Sequence, residues 1–87
     1  MTGATRARIL IIDDDPQLLV AFRRYISRRH DVEGVSGAEP ALALIESGER
    51  FDMVLCDLKM PGVSGMEFYE ALLAGWPEQA ARVVLMT

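Results

Sequence analysis

In the stretch Phe51-Asp52-Met53-Val54-Leu55-Cys56-Asp57-Leu58-Lys59-Met60-Pro61-Gly62-Val63-Ser64-Gly65, a short apolar run, Met53-Val54-Leu55-Cys56, ends abruptly in a carboxylate. Consecutive apolar residues of this kind predict a strand covered on both faces, as in a parallel sheet. Asp57 then falls at the carboxyl end of a buried strand, where open α/β sheets put their binding sites. Met60-Pro61-Gly62 must turn the backbone, because Pro61 biases Met60 away from helical φ/ψ. Ser64-Gly65-Met66-Glu67 has the spacing of a capping box and opens a helix.

Outward from this stretch the pattern repeats. Ile9-Leu10-Ile11-Ile12 is a second apolar run ending in acid, Asp13-Asp14-Asp15. Pro16 suits the first position of a helix and Asp15 its N-cap. That helix is predicted to reach about residue 29, with Leu18, Phe22, Tyr25 and Ile26 spaced for a buried stripe and Arg28, Arg29 and His30 at the negative end of its dipole. Asp31 to Val35 reads as a weak strand. Ser36-Gly37-Ala38-Glu39 has capping-box spacing and leads into a helix carried by Ala41, Leu42, Leu44 and Ile45, closed near Gly48. The third helix continues through Leu72, Leu73 and Trp76 and is ended by Gly75 and Pro77. Val83-Val84-Leu85-Met86 is a further strand. Met53, Met60, Met66 and Met86 read as gap-filling core residues. The order β-α-β-α-β-α-β calls for a parallel sheet with right-handed crossovers.

Composition narrows the function. At 87 residues, 51% hydrophobic and 25% charged, the chain reads as one small globular domain. A net charge of -4 argues against binding a phosphate backbone, since there is no basic surplus to release counterions. The single cysteine, Cys56, excludes an internal disulfide and sits inside an apolar strand, which predicts a buried, inert thiol in a reducing compartment. No apolar run approaches the roughly 18 residues of a membrane span, and residues 1–8 lack the apolar core of a signal peptide and read as a short loose leader. His30 has no cysteine or histidine companion for a metal. Neither G-x-G-x-x-G nor a Walker lysine loop occurs, so a nucleotide site has no support.

The acids carry the chemistry. If the strands ending at Asp13-Asp14 and at Asp57 are neighbours, three carboxylates converge at one edge of the sheet, and like charges that close require neutralisation. A hard divalent cation such as Mg²⁺ does this with a few carboxylates and several waters. Asp57 could then attack a phosphoryl group as a carboxylate nucleophile. Helix capping alone accounts for Asp15 and one neighbour, but not for a second strand that ends in acid.

These residues bring a family into view. Ile9-Leu10-Ile11-Ile12-Asp13-Asp14-Asp15-Pro16, Asp57-Leu58-Lys59-Met60-Pro61-Gly62-Val63-Ser64-Gly65 and Val83-Val84-Leu85-Met86-Thr87 resemble, in order and spacing, the receiver domain of bacterial two-component response regulators, also found in hybrid histidine kinases. The resemblance covers essentially the whole chain. It implies an α/β flavodoxin-like fold, a doubly wound parallel sheet of strand order 2-1-3-4. It implies that Asp57 is a phosphoacceptor, charged from a phosphohistidine on a histidine kinase or histidine phosphotransfer protein. Asp14 and Asp57 would bind Mg²⁺ directly, Asp13 mostly through water, and the Lys59 backbone carbonyl would complete the shell. Thr87 matches the hydroxyl residue that switches on phosphorylation. A cytoplasmic signalling domain is implied, not an enzyme, with no direct nucleic-acid or membrane binding.

The family's fourth helix, fifth strand with its lysine, and fifth helix have no counterpart here. Residues 1–87 are thus expected to be one C-terminally incomplete receiver domain. An open fourth-strand edge and a bare face over Ile9, Ile11, Val54 or their strand neighbours would then favour self-association. Two rival readings remain. One is a pseudo-receiver acting without phosphorylation. The other is a Mg²⁺-dependent phosphohydrolase forming an aspartyl-phosphate, which commonly has a second acid two residues after its nucleophile, where this chain has Lys59.

Overall fold

Four strands, β1 (Arg8–Ile12), β2 (Asp31–Val35), β3 (Met53–Asp57) and β4 (Val83–Met86), form one parallel sheet in the order β2-β1-β3-β4. They alternate with α1 (Pro16–Ile26), α2 (Ala38–Glu46), α3 (Gly65–Gly75) and a short α4 (Pro77–Ala80). The computed structural model describes residues 6–86. The strand order is the one expected, and among the described residues no helix is long and apolar enough to cross a membrane.

Strand alternation sends side chains to two unequal faces. Leu10, Ile12, Val54 and Cys56 pack with Ala41 and Ile45 of α2 and Phe68 and Leu72 of α3, and all of these are fully buried. Burying each of the large side chains stabilises the fold by roughly 1.5–3 kcal/mol, so this face holds most of the apolar stabilisation.

The α1 face is thinner. This helix packs against β2, at one side of the sheet, and none of its residues is buried. The expected stripe therefore fails in part: Leu18 is 37% and Tyr25 78% exposed, while Leu19, Phe22 and Ile26 are half-buried. Uncovered by α1, Met53 and Val84 are 41% and 46% exposed. The central strand is thus not covered on both faces along its whole length. The bare patch lies over strand neighbours, Met53 beside Ile9 and Val84 on β4, while Ile9, Ile11 and Val54 themselves are buried. Met66 is also exposed, whereas Met60 does pack against the core.

Local caps explain the remaining differences. Asp15 caps α1 as expected, accepting the Gln17 N–H at 2.9 Å. The helix stops at Ile26 with Ser27 as C-cap, short of residue 29. Arg6 explains the early end: its guanidinium donates to the carbonyls of Ser27 (2.9 Å) and His30 (3.0 Å) and pairs with Asp31 at 3.1 Å. The Ala7 N–H donates to His30 Nδ1 at 3.1 Å, so residues 6–8 are fastened and not a loose leader. Ser64 and Glu67 form the full capping box of α3. Ser36 does not cap α2; Gly37 takes that position without a side-chain bond.

The short α4 was not expected, since Pro77 reads as a stop signal. Pro77 in fact opens a new turn. That turn delivers Gln79, 4% exposed, onto the backbone of Phe51: Oε1 accepts the Phe51 N–H and Nε2 donates to the Phe51 carbonyl, both at 2.9 Å. The buried amide thereby serves both main-chain groups of a residue just ahead of β3. Replacing it by Leu strands those groups, and Gln79→Leu is expected to cost about 2 kcal/mol or more in urea unfolding.

Candidate functional site

Parallel pairing of β1 with β3 in the register Ile12↔Cys56 sends Asp13 and Asp57 out of the sheet side by side. The Asp13 N–H is held by the Val35 carbonyl at 3.1 Å, so the chain leaves β1 still aligned with β2. Asp13 is buried, Asp57 half-buried and Asp14 exposed, and each offers a carboxylate oxygen within 4.8 Å of the others. The three acids expected to converge do so. Asp15 turns aside to cap α1.

Each inner carboxylate is steered by backbone. Asp13 Oδ1 accepts the Asp15 N–H at 2.9 Å, and Asp57 Oδ1 accepts the Lys59 N–H at 3.1 Å. Burial raises the Asp13 pKa above its ordinary value; the bond from Asp15 opposes this, and the charges of Asp57, Asp14 and Asp15 add to it. Cys56, just inside the sheet, has its thiol pushed up to about 11, first by burial and then by Asp57 and Asp13. It stays a thiol at neutral pH, as its strand position predicts.

The loop after Asp57 is closed at both ends. The Leu58 N–H donates to the Met86 carbonyl at 2.7 Å, and the Gly65 N–H donates to the Leu58 carbonyl at 3.0 Å. Gly62 turns the loop with φ of 78°. At Gly65 a Cβ would collide with the Asp57 carbonyl oxygen and lie 2.9 Å from Leu58 Cα, so only glycine lets α3 start against the end of β3. Sequence reasoning read Gly65 simply as part of a helix start; its signal was its place one residue beyond the Ser64 cap. Lys59 is exposed. Thr87 lies outside the described residues.

The donor set is oxygen throughout, which suits a hard cation such as Mg²⁺ better than a soft one. A nucleophilic carboxylate placed beside two others, half-open to solvent, can also receive an electrophile.

Comparisons with known proteins point the same way. The sequence profile of the response regulator receiver domain matches residues 9–87. The hydrogenase transcriptional regulatory protein HoxA of Cupriavidus necator is 35% identical over 80 residues, which cover 92% of this chain and 16% of that protein. The nitrate/nitrite response regulator protein NarL of Escherichia coli is 37% identical over 75 residues, 83% of this chain and 34% of that protein. The chain thus spans only a minor part of the length of these relatives. A response regulator receiver protein from Pseudomonas putida superposes with a TM-score of 0.81 at 29% identity, covering 97% of this chain and 69% of the other.

A carboxyl whose folded pKa is raised holds its proton more tightly in the folded state. The fold is therefore favoured below the unfolded pKa, and stability is lost as pH rises through the raised one. Asp13→Asn removes the buried charge and keeps an acceptor for the Asp15 N–H. In thermal melts with a chelator at neutral pH, Asp13→Asn is expected to melt a few degrees above the parent and to lose less stability as pH rises through the carboxylate range.

Proposed function

Because the chain belongs to the response regulator receiver domain family, a signalling domain of two-component phosphorelays, we propose that Asp57 is its phosphoacceptor. The observation that carries this reading is the half-buried Asp57 carboxylate at a strand end, within 4.8 Å of the Asp13 and Asp14 carboxylates. An Asp57 oxygen attacks the phosphorus of a phosphohistidine; the P–N bond breaks, an acyl phosphate forms, and the histidine departs. The donor is a histidine kinase or histidine phosphotransfer protein in the cytoplasm.

Asp14 and Asp57 would hold Mg²⁺ directly, Asp13 would act mainly through water, and the Lys59 carbonyl would complete the set. Mg²⁺, when bound, neutralises the charge that otherwise repels an incoming phosphoryl group. Thr87 is the switch hydroxyl that reports the new charge. The Lys59 N–H, already on Asp57 Oδ1, keeps the nucleophile oriented. Lys59 stands where a phosphohydrolase of the aspartyl-phosphate type commonly carries its second acid, which favours an acceptor over an enzyme.

Self-association belongs to the same proposal. The Arg82 and Met86 carbonyls face β3, accepting from Val54 and Leu58, so by strand alternation the main-chain groups of Val83 and Leu85 face outward. A second copy of this strand matches them in an antiparallel pair about a two-fold axis. The exposed Met53 and Val84 surface then continues from one copy toward the other.

Incubation with Mg²⁺ and acetyl phosphate, followed by intact mass, tests the acceptor: one phosphoryl adduct is expected, absent in Asp57→Asn. An adduct that survives in Asp57→Asn would place the chemistry elsewhere. Mg²⁺ should also stabilise the parent, by about 2.7 kcal/mol at a hundredfold excess over its dissociation constant, and Asp14→Ala should remove that response. Light scattering should show mass rising with protein concentration; a monomer at every concentration overturns the strand-edge pairing.

A further inference from the structure

At the end of the sheet opposite Asp57, roughly 20 Å away along β3 at the usual rise per residue, lies a cavity of about 420 Å³. It is formed where the chain enters β3 and where it passes through α4 into β4, and its volume is in the range of small-molecule sites. Two arginines line it, Arg50 and Arg82, against a single acid, Glu78. The chain as a whole is negative, at -4, whereas the cavity lining carries two cations against one acid.

The floor and the Arg50 side are fixed before any ligand arrives. Phe51 is 5% exposed, with the Arg8 guanidinium 4.7 Å from its ring centroid. Arg8 is in turn held by Glu49 at 2.8 Å and by the Arg50 carbonyl at 3.1 Å. Gln79 has both ends of its amide committed to Phe51, so the floor offers no unmet polar group of its own. Arg50 Nη1 is anchored on the Ile45 and Glu49 carbonyls, at 2.9 and 2.7 Å. Its remaining donors, and all those of Arg82, make no hydrogen bond or ion pair among the described residues. Trp76 is half-buried, packs against the core and is the one aromatic residue besides Phe51 that lines the cavity.

We infer that this cavity is a second ligand site, which takes a small organic anion: a carboxylate or phosphate group on the two guanidiniums, joined to a flat ring that lies on Trp76. A guanidinium fork matches either anion in a bidentate way, and indole stacks on planar rings. Neither element depends on the carboxylate cluster around Asp57, so this site and the phosphoacceptor stand or fall separately.

Trp76 is the only tryptophan in the chain, so its fluorescence reports the site directly. The titrants are adenosine monophosphate and benzoate, with adenosine and inorganic phosphate as ring-only and charge-only controls. Divalent cations are left out, so that the acidic end repels the same anions. A saturable change with adenosine monophosphate, benzoate or both is expected; the one that binds identifies the anionic group. Arg82→Gln, at an exposed residue whose side chain has no partner among the described residues, should weaken binding by about tenfold or more, the scale of one charge-assisted hydrogen bond, with circular dichroism and melting unchanged. No saturable response to either ring-bearing anion overturns the site. So does a response that Arg82→Gln leaves unaltered, or one that adenosine reproduces without its phosphate.

Discussion

Everything at the functional end depends on one constraint: β1 and β3 must lie side by side, in parallel, with Ile12 level with Cys56. The register Ile12↔Cys56 meets that condition, and the carboxylates of Asp13 and Asp57 are brought together as a consequence of backbone pairing. Strand pairing is indifferent to the charges that follow it. The apolar runs ahead of them are buried against α2 and α3, and that burial holds the strands level despite repulsion at their ends. Asp14 is exposed and Asp57 half-exposed, so water shares the load that a dry site would leave to the protein.

Much of this was legible because it rests on local chemistry. Two apolar runs each ending in acid, Asp15 before Pro16, and Ser64 three residues ahead of Glu67 are signals whose meaning does not depend on distant packing, and each appears as read. What was not legible depended on tertiary placement. Leu18 and Tyr25 have helical spacing for burial, but α1 sits over β2 and leaves them open. Ser36 has the right spacing to cap α2 and is passed over for Gly37. Pro77 closes one helix and starts another, a choice that punctuation residues leave undecided. Gln79 gave no sign of its role, because its partner is the main chain of a residue 28 positions away. The roles carried over from the family, those of Lys59 and Thr87 above all, come from resemblance and not from any local rule.

The two faces of the sheet divide the labour unequally. The α2–α3 face is close-packed and carries the cooperative core. The α1 face is held at its margin by side chain-to-backbone bonds, with Arg6 on the carbonyls beyond α1 and Ala7 on His30. Such an arrangement predicts a gradient of local stability, highest at β1 and β3 and lowest along α1. A signalling domain has use for that gradient, because an element with few buried contacts shifts position at low cost.

The loop that follows Asp57 is a closed ring. The Gly65 N–H on the Leu58 carbonyl ties its two ends together, and the bare Gly65 Cα lets the helix start rest directly on the end of the strand. Between those ends the Lys59 N–H holds Asp57 and Met60 and Val63 pack against the core, so only the Pro61-Gly62 tip stands clear of the closure. Lengthening such a tip costs little entropy once its ends are joined. The exposed Pro61-Gly62 tip can therefore be extended or decorated while Asp57 keeps its place. The glycine thus separates a fixed carboxylate from a variable rim, and a grafted tip would inherit the placement of Asp57 without having to rebuild it.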